Sequence, residues 1–353
     1  MKNQINRPNK EIVYLRLRTI MPVMLVVLAF LTVLAVGVGA VYVPFGQALK
    51  IILKNWGLLG DIKLPQSQVS IIFQIRLPRV IAASLIGAAL ATSGAVLQGM
   101  FRNPMADPGI LGVSSGACLG AVTAIALGVA AQSIYFLPLF ASAGAILAVT
   151  IIYLLSVKGG KTPTLTLILS GIAVSTFIVA ITQIIITQLY DYQVRTFFMW
   201  TMGELYGMNW EHVRLIVLPV IISIFILLTF AHDLNALLLG EEEAQSIGLN
   251  PLRTRKLLLI FTSIITAVAV SVAGPISFIG LIVPHIMRLI VGPDHRILIP
   301  ASAVGGAIFL VCCDIISRVP PSGEISVGIV TSLLGAPYFL YLLIKAGKGG
   351  VAL

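Results

Sequence analysis

Residues 134–156 read IYFLPLFASAGAILAVTIIYLLS, and residues 164–188 read TLTLILSGIAVSTFIVAITQIIITQ, neither with a charged side chain. A helix rises about 1.5 Å per residue, so each run reaches across roughly 35 Å, the depth of a bilayer's hydrocarbon core. A membrane β-strand alternates polar and apolar over about ten residues, and no such alternation is present. Working outward, apolar runs separated by polar or Gly/Pro punctuation recur at 19–42, 78–100, 109–131, 211–231, 255–273, 277–291, 298–316 and 326–344. The expected fold is all-α: a polytopic integral membrane protein with about ten transmembrane helices. It forms one domain over 1–353, with a cytoplasmic segment 1–18 and a polar loop at about 236–252. The 277–291 run is short, and Gly274-Pro275 and Pro284 mark it as a broken or half-length helix. Such backbone is tolerated at membrane depth only where protein or water covers it.

Composition agrees. The chain has 353 residues, 58% hydrophobic and 10% charged, with a mean hydropathy of +1.04. Soluble domains carry about a quarter charged residues, so a soluble enzyme and a disordered chain are both excluded. The net charge of +10 comes without a basic cluster interleaved with aromatics, which argues against nucleic acid. It reads instead as an orientation signal. With the N-terminus in the cytoplasm, the inside segments hold Lys2, Arg7, Lys10, Arg16, Arg18, Arg102, Lys158, Lys161, Arg253, Arg255, Lys256, Arg288, Arg296, Lys345 and Lys348. The outside receives Lys50, Lys54, Lys63, Arg76, Arg79, Arg195, Arg214 and Arg318. Fifteen against eight puts both termini in the cytoplasm, yet eight outside is more than orientation alone explains.

The chemistry the chain lacks is also informative. Every Asp and Glu falls in a loop or near a span end, whereas ion-coupled transporters generally need an ionisable site near the midplane. There is no HExxH, the four histidines are scattered, and Cys118, Cys312 and Cys313 show no metal or redox spacing. No catalytic or metal site is expected. The chain has no GxxxxGK[ST] phosphate loop, so energy for any transport must come from another subunit.

Four stretches depart from plain hydrophobic helix. Arg76-Leu77-Pro78-Arg79 opens the second span, with Pro suited to a first turn and two arginines on one face. They read either as interfacial snorkelling or as a docking site for an acidic partner. Ser93 to Gly109 closes that span with a proline-punctuated turn, and Gly112, Gly116 and Gly120 then give the GxxxGxxxG spacing of close helix packing. The polar stretch Leu239 to Asn250 is long enough for a short helix with an acidic first turn ending near Gly248. It reads as a solvated loop or as a lever that transmits force to a soluble partner. The fourth is the pair GPISFIGLIVPHIMR (274–288) and Asp314 through Glu324 to Pro337.

Together, and in this order, these motifs resemble the FecCD family, the iron-siderophore, haem and cobalamin permeases of type II ATP-binding-cassette importers. The resemblance runs from about residue 15 to the C-terminus. It implies a permease subunit of the prokaryotic cytoplasmic (inner) membrane that pairs with a second permease subunit, the same or related. Two cytoplasmic ATPase subunits that use ATP and magnesium would bind below and a substrate-binding protein above, with no cofactor on this chain. Arg76, Arg79 and Arg318 match arginines that receive glutamates of the binding protein. Gly240, Glu241, Glu242, Glu243, Ala244, Ser246 and Gly248 match the segment that couples to the ATPase. Asn103 and Met105 match a cytoplasmic gate, with Met where Leu is common, and Thr164 and Leu165 match a second gate. Glu204 departs from the pattern, since relatives usually carry a small residue there. The cargo implied is an iron chelate (ferric siderophore first, or haem) or cobalamin. A stand-alone secondary transporter or channel is the rival reading, and it requires a midplane ionisable site. A structural scaffold leaves the paired arginines and the acidic loop without a role.

Overall fold

The computed structural model describes residues 10–39, 41, 43–55, 58, 64–157, 163–320 and 323–349. Lys2, Arg7, Asp61, Lys63, Lys158 and Lys161, which entered the charge reading, lie outside them. The described chain is a helical bundle. Its elements are α1 (Lys10–Gly37), α2 (Phe45–Asn55), α3 (Gln66–Phe101), α4 (Val113–Ala126), α5 (Phe136–Ser156), α6 (Thr164–Ile186) and α7 (Asp191–Thr201). There follow α8 (Trp210–Thr229), α9 (Ala231–Leu239), α10 (Glu241–Ser246), α11 (Pro251–Ala273), α12 (Ile279–Val291), α13 (His295–Ser317) and α14 (Val327–Gly349). Seven are long and apolar enough to cross a membrane, and α4, α12 and part of α14 are shorter apolar helices. Each of the ten coincides with one of the ten runs expected from the sequence.

Burial separates centre from periphery. In α3, 78% of the apolar window is buried, and in α11 67%, against 17% in α1 and 22% in α6. The exposed faces of the outer helices carry large apolar side chains such as Val26, Leu154, Leu169 and Phe177. A surface of that kind is stable only against lipid or another membrane subunit.

Close approach of backbones holds the centre together. Gly116 of α4 meets Gly144 of α5 so closely that a Cβ on Gly116 would sit 2.4 Å from the Gly144 carbonyl oxygen. The GxxxGxxxG spacing is therefore a packing face, since only a missing side chain permits this distance. The expected interruption after 273 is also present. α11 ends at Ala273, residues 274–278 are non-helical, and α12 begins beside the last third of α3, where Gly280 lies against Gly94. The thirteen-residue α12 is thus a half-length helix.

Three features were not expected. α2 buries Ala48, Ile51 and Ile52 on one face, the pattern of an interfacial amphipathic helix, and accounts for Lys50 and Lys54 outside the spans. The helix α3 starts well before Pro78, passing through a π-helical turn at Ile71–Arg76. α7 is a short separate helix after α6.

Candidate functional site

Three groups of residues sit at defined places in this bundle: an arginine cluster at one end, a cavity beside the broken helix, and a polar loop with an adjoining turn at the other end.

At the first end α1 terminates, leaving orphan carbonyls that need donors. Arg76 supplies them through hydrogen bonds to Val36 O (2.8 Å) and Gly37 O (3.1 Å), and it also bonds Val41 O just beyond the helix. Arg318 adds a bond to Ala35 O at 3.0 Å. Asp314, fully buried in α13, takes Arg79 Nε on one oxygen at 2.9 Å and Arg318 Nη2 on the other. Arg79 also pairs with Glu324 at 2.6 Å. The three arginines are only 6%, 7% and 9% exposed, so each is held by its own chain and the face that solvent reaches is Glu324. Glu204 shares a pocket of about 330 Å³ with Arg79 and Glu324. Burial raises its carboxyl above the usual range, and the Glu324 charge adds to this while Arg79 opposes it. Sequence reasoning grouped the arginines but missed Asp314, Glu324 and Glu204 as their partners. The visible signal was the four-residue spacing of Asp314 and Arg318, which puts them on one helical face.

Next to this end lies a cavity of about 650 Å³ bounded by the end of α7, the 274–278 break and α14. Thr201, Ser277 and Ser332 offer hydroxyls to it, Met202, Pro275 and Pro337 offer apolar surface, and no charged side chain lines it. Backbone bonds hold the walls: Glu204 N–H donates to Ala273 O and Gly328 N–H to Gly203 O, both at 2.9 Å. The cavity offers a solute apolar contact and weak hydrogen bonds, and none of its lining side chains is an acid or a base.

At the opposite end, α10 is the short helix expected of the polar loop. Leu249 N–H reaches Ala244 O (3.1 Å) and Gly248 N–H reaches Gln245 O (2.9 Å), with Gly248 at φ +86°. This pair of bonds closes a helix around a left-handed residue and is why Gly sits there. Ala244 is buried, whereas Glu242, Glu243, Ser246 and Ile247 are exposed. The backbone of Gly240 and Glu241 begins the helix. α3 ends with the same closure. Asn103 N–H bonds Gln98 O (3.2 Å) and Arg102 stands at φ +50°, a conformation strained for a residue with a side chain. The exposed Asn103 accepts Met105 N–H at 2.9 Å, fixing the turn, and Met105 is half-buried. Leu165, on α6, is 68% exposed. The 3₁₀ turn Pro108–Leu111 that follows Met105 packs on α6, so the two expected gate segments belong to neighbouring elements.

A helical bundle with seven membrane-length apolar helices, three shorter ones and a broken helix defines a polytopic integral membrane protein. The sequence matches the model of the FecCD transport family over residues 26–345, and the chain belongs to that family. It is 45% identical over 329 residues to the cobalamin import system permease protein BtuC of Halobacterium salinarum, covering 90% of this chain and 88% of that one. It is 40% identical to the hemin transport system permease protein HmuU of Yersinia pestis, over 77% of this chain and 82% of that one. Among solved structures, an inward-facing metal-chelate type ABC transporter superposes with a TM-score of 0.82 at 31% identity, covering 93% of this chain and 99% of that chain. The protein is the permease subunit of an ABC importer, an integral protein of the inner membrane.

Proposed function

We propose that this permease carries cobalamin. With a second permease subunit, two ATPase subunits that use ATP and magnesium, and a substrate-binding protein, it makes a complete importer. The uncharged, hydroxyl-bearing cavity beside the broken helix is the observation that carries the reading. Two such cavities facing each other across a subunit interface enclose a conduit that releases a bulky chelate instead of trapping it. The relatives named for cobalamin and hemin turn the choice of cargo from a ferric siderophore toward a metal-bearing macrocycle.

The end with α10 faces the cytoplasm in this reading, in line with the census of basic residues. The loop 240–249 seats in the ATPase, and its exposed Ile247, flanked by exposed Leu239 and Leu252, supplies apolar surface for that contact. Asn103, Met105, Thr164 and Leu165 close the cytoplasmic exit. The opposite end receives the binding protein, whose carboxylates reach Arg79 by displacing the exposed Glu324. The test is uptake by a host stripped of its own cobalamin, haem and siderophore permeases and given this chain with its ATPase and binding protein. Cobalamin uptake is expected. Uptake of haem or a ferric siderophore alone reassigns the cargo, and no uptake of any of the three refutes the reading.

A further inference from the structure

α9 and α10 are separated by Gly240 alone and pack on each other. Midway along α9, the Asn235 side chain reaches the start of α13. Its Oδ1 accepts the His295 backbone N–H at 3.0 Å and lies 2.8 Å from His295 Nδ1. Its Nδ2 donates to Asp294 Oδ1 at 2.7 Å. An oxygen only accepts, so Nδ1 carries a proton, and the ring turns its Nε2 edge to the other side. That side is α3. The His295 ring is 1% exposed and lies on Gly99, where a Cβ would come 2.3 Å from Nε2. Gly99 and Gln98 are the residues whose carbonyls close α3 and launch Asn103. Gln98 is also fixed on its far side, donating to Gly280 O (3.2 Å) and Leu281 O (3.1 Å) and accepting from Arg288 at 3.1 Å.

A continuous chain of contacts, partly buried at Asn235 and fully buried at His295 and Gln98, therefore runs from α10 to the turn at 103–105. We propose that Asn235 is a positioning residue whose clasp on His295 and Asp294 transmits displacement of the 240–249 loop to that turn. The inference rests on the coupling and gate roles proposed above and names the part that joins them. The clasp suits this task because one half-buried amide engages the Asp294 carboxylate, the His295 N–H and the His295 ring together, and the ring itself is closed off from water. A displacement of α9 that α13 does not follow breaks three bonds at once and leaves the buried His295 imidazole without its partner.

The experiment uses the assembled importer in lipid nanodiscs. A cysteine replaces Met105 in a background lacking Cys118, Cys312 and Cys313, and crosslinking between the two permease subunits is compared with and without ATP. Asn235→Ala is expected to leave assembly and basal ATP hydrolysis intact. It should abolish the ATP dependence of crosslinking and lower transport about tenfold, the size of a typical coupling energy. Asn235→Asp opposes two carboxylates and should fail likewise, whereas Asn235→Asp with Asp294→Asn re-forms the bond in reverse and should restore both readouts. A merely structural role would lower assembly and transport without erasing the nucleotide dependence in the assembled fraction. ATP-dependent crosslinking retained in Asn235→Ala overturns this inference and leaves the coupling reading intact. Crosslinking indifferent to ATP in the unmutated clasp overturns both. Should Asn235→Ala not assemble, a reverse pair that assembles but stays uncoupled also refutes the inference.

Discussion

Asp314→Asn is the perturbation that weighs the arginine cluster. The carboxylate is fully buried and is shared by two guanidiniums whose side chains are 9% and 3% exposed. The amide keeps the shape, but it removes the negative charge and presents donors to one of the two arginines. Arg79 retains Glu324, and Arg318 retains the Ala35 carbonyl, so neither is left without a partner. Breaking a buried pair by removing one member costs about 3–5 kcal/mol, and the remaining partners place this case near 3 kcal/mol. In lipid nanodiscs the permease should then melt lower by about 6–12 °C, at roughly 2–4 °C per kcal/mol for a chain of some size. Replacing the whole trio, with Asp314→Leu, Arg79→Met and Arg318→Met, should cost less than the single change, because no buried member of the trio is left without its counter-charge. A shift under about 1 °C for Asp314→Asn, where several kcal/mol are at stake, would show that the trio is solvated and the reasoning wrong.

If a binding-protein carboxylate must displace Glu324 from Arg79, Glu324→Gln should tighten association a few-fold, whereas reversing Arg79 to Glu should abolish it. Co-purification with the binding protein reads both, and equal association in all three proteins removes the docking role. Glu204 has a raised folded-state affinity for its proton, so its ionisation destabilises the fold. Stability is therefore lost as pH rises through the window above the ordinary carboxylate range, and Glu204→Gln should flatten the melting temperature there. Gly116→Leu should cost about 2 kcal/mol or more, because the side chain cannot occupy the space taken by the α5 backbone. Normal thermal stability of that variant would contradict the close α4–α5 contact.

The spans were legible because lipid imposes length and apolarity on every crossing helix. The break after Ala273 was legible because Gly-Pro cannot continue a helix, and the end of α10 because Gly248 takes a left-handed conformation. What was not legible depends on residues far apart in the chain. Arg79 finds Asp314 and Glu324 more than two hundred positions away, and Asn235 finds His295 sixty positions away. Neither pairing leaves a local signature. The helix α2 escaped because its alternating lysines and aliphatics read as a polar connection, although at helical spacing they separate into two faces.

The central claim is that the loop capped by Gly248 links an external ATPase to the conduit. Its most direct measurement is ATP hydrolysis by the reconstituted importer, with binding protein and cargo present, after deletion of Glu242 to Gln245 or after Gly248→Pro. The account predicts an assembled complex that still docks the binding protein but has lost cargo-stimulated hydrolysis. Normal stimulation in an assembled deletion variant would contradict it, and the segment would then be a solvated connection between α9 and α11.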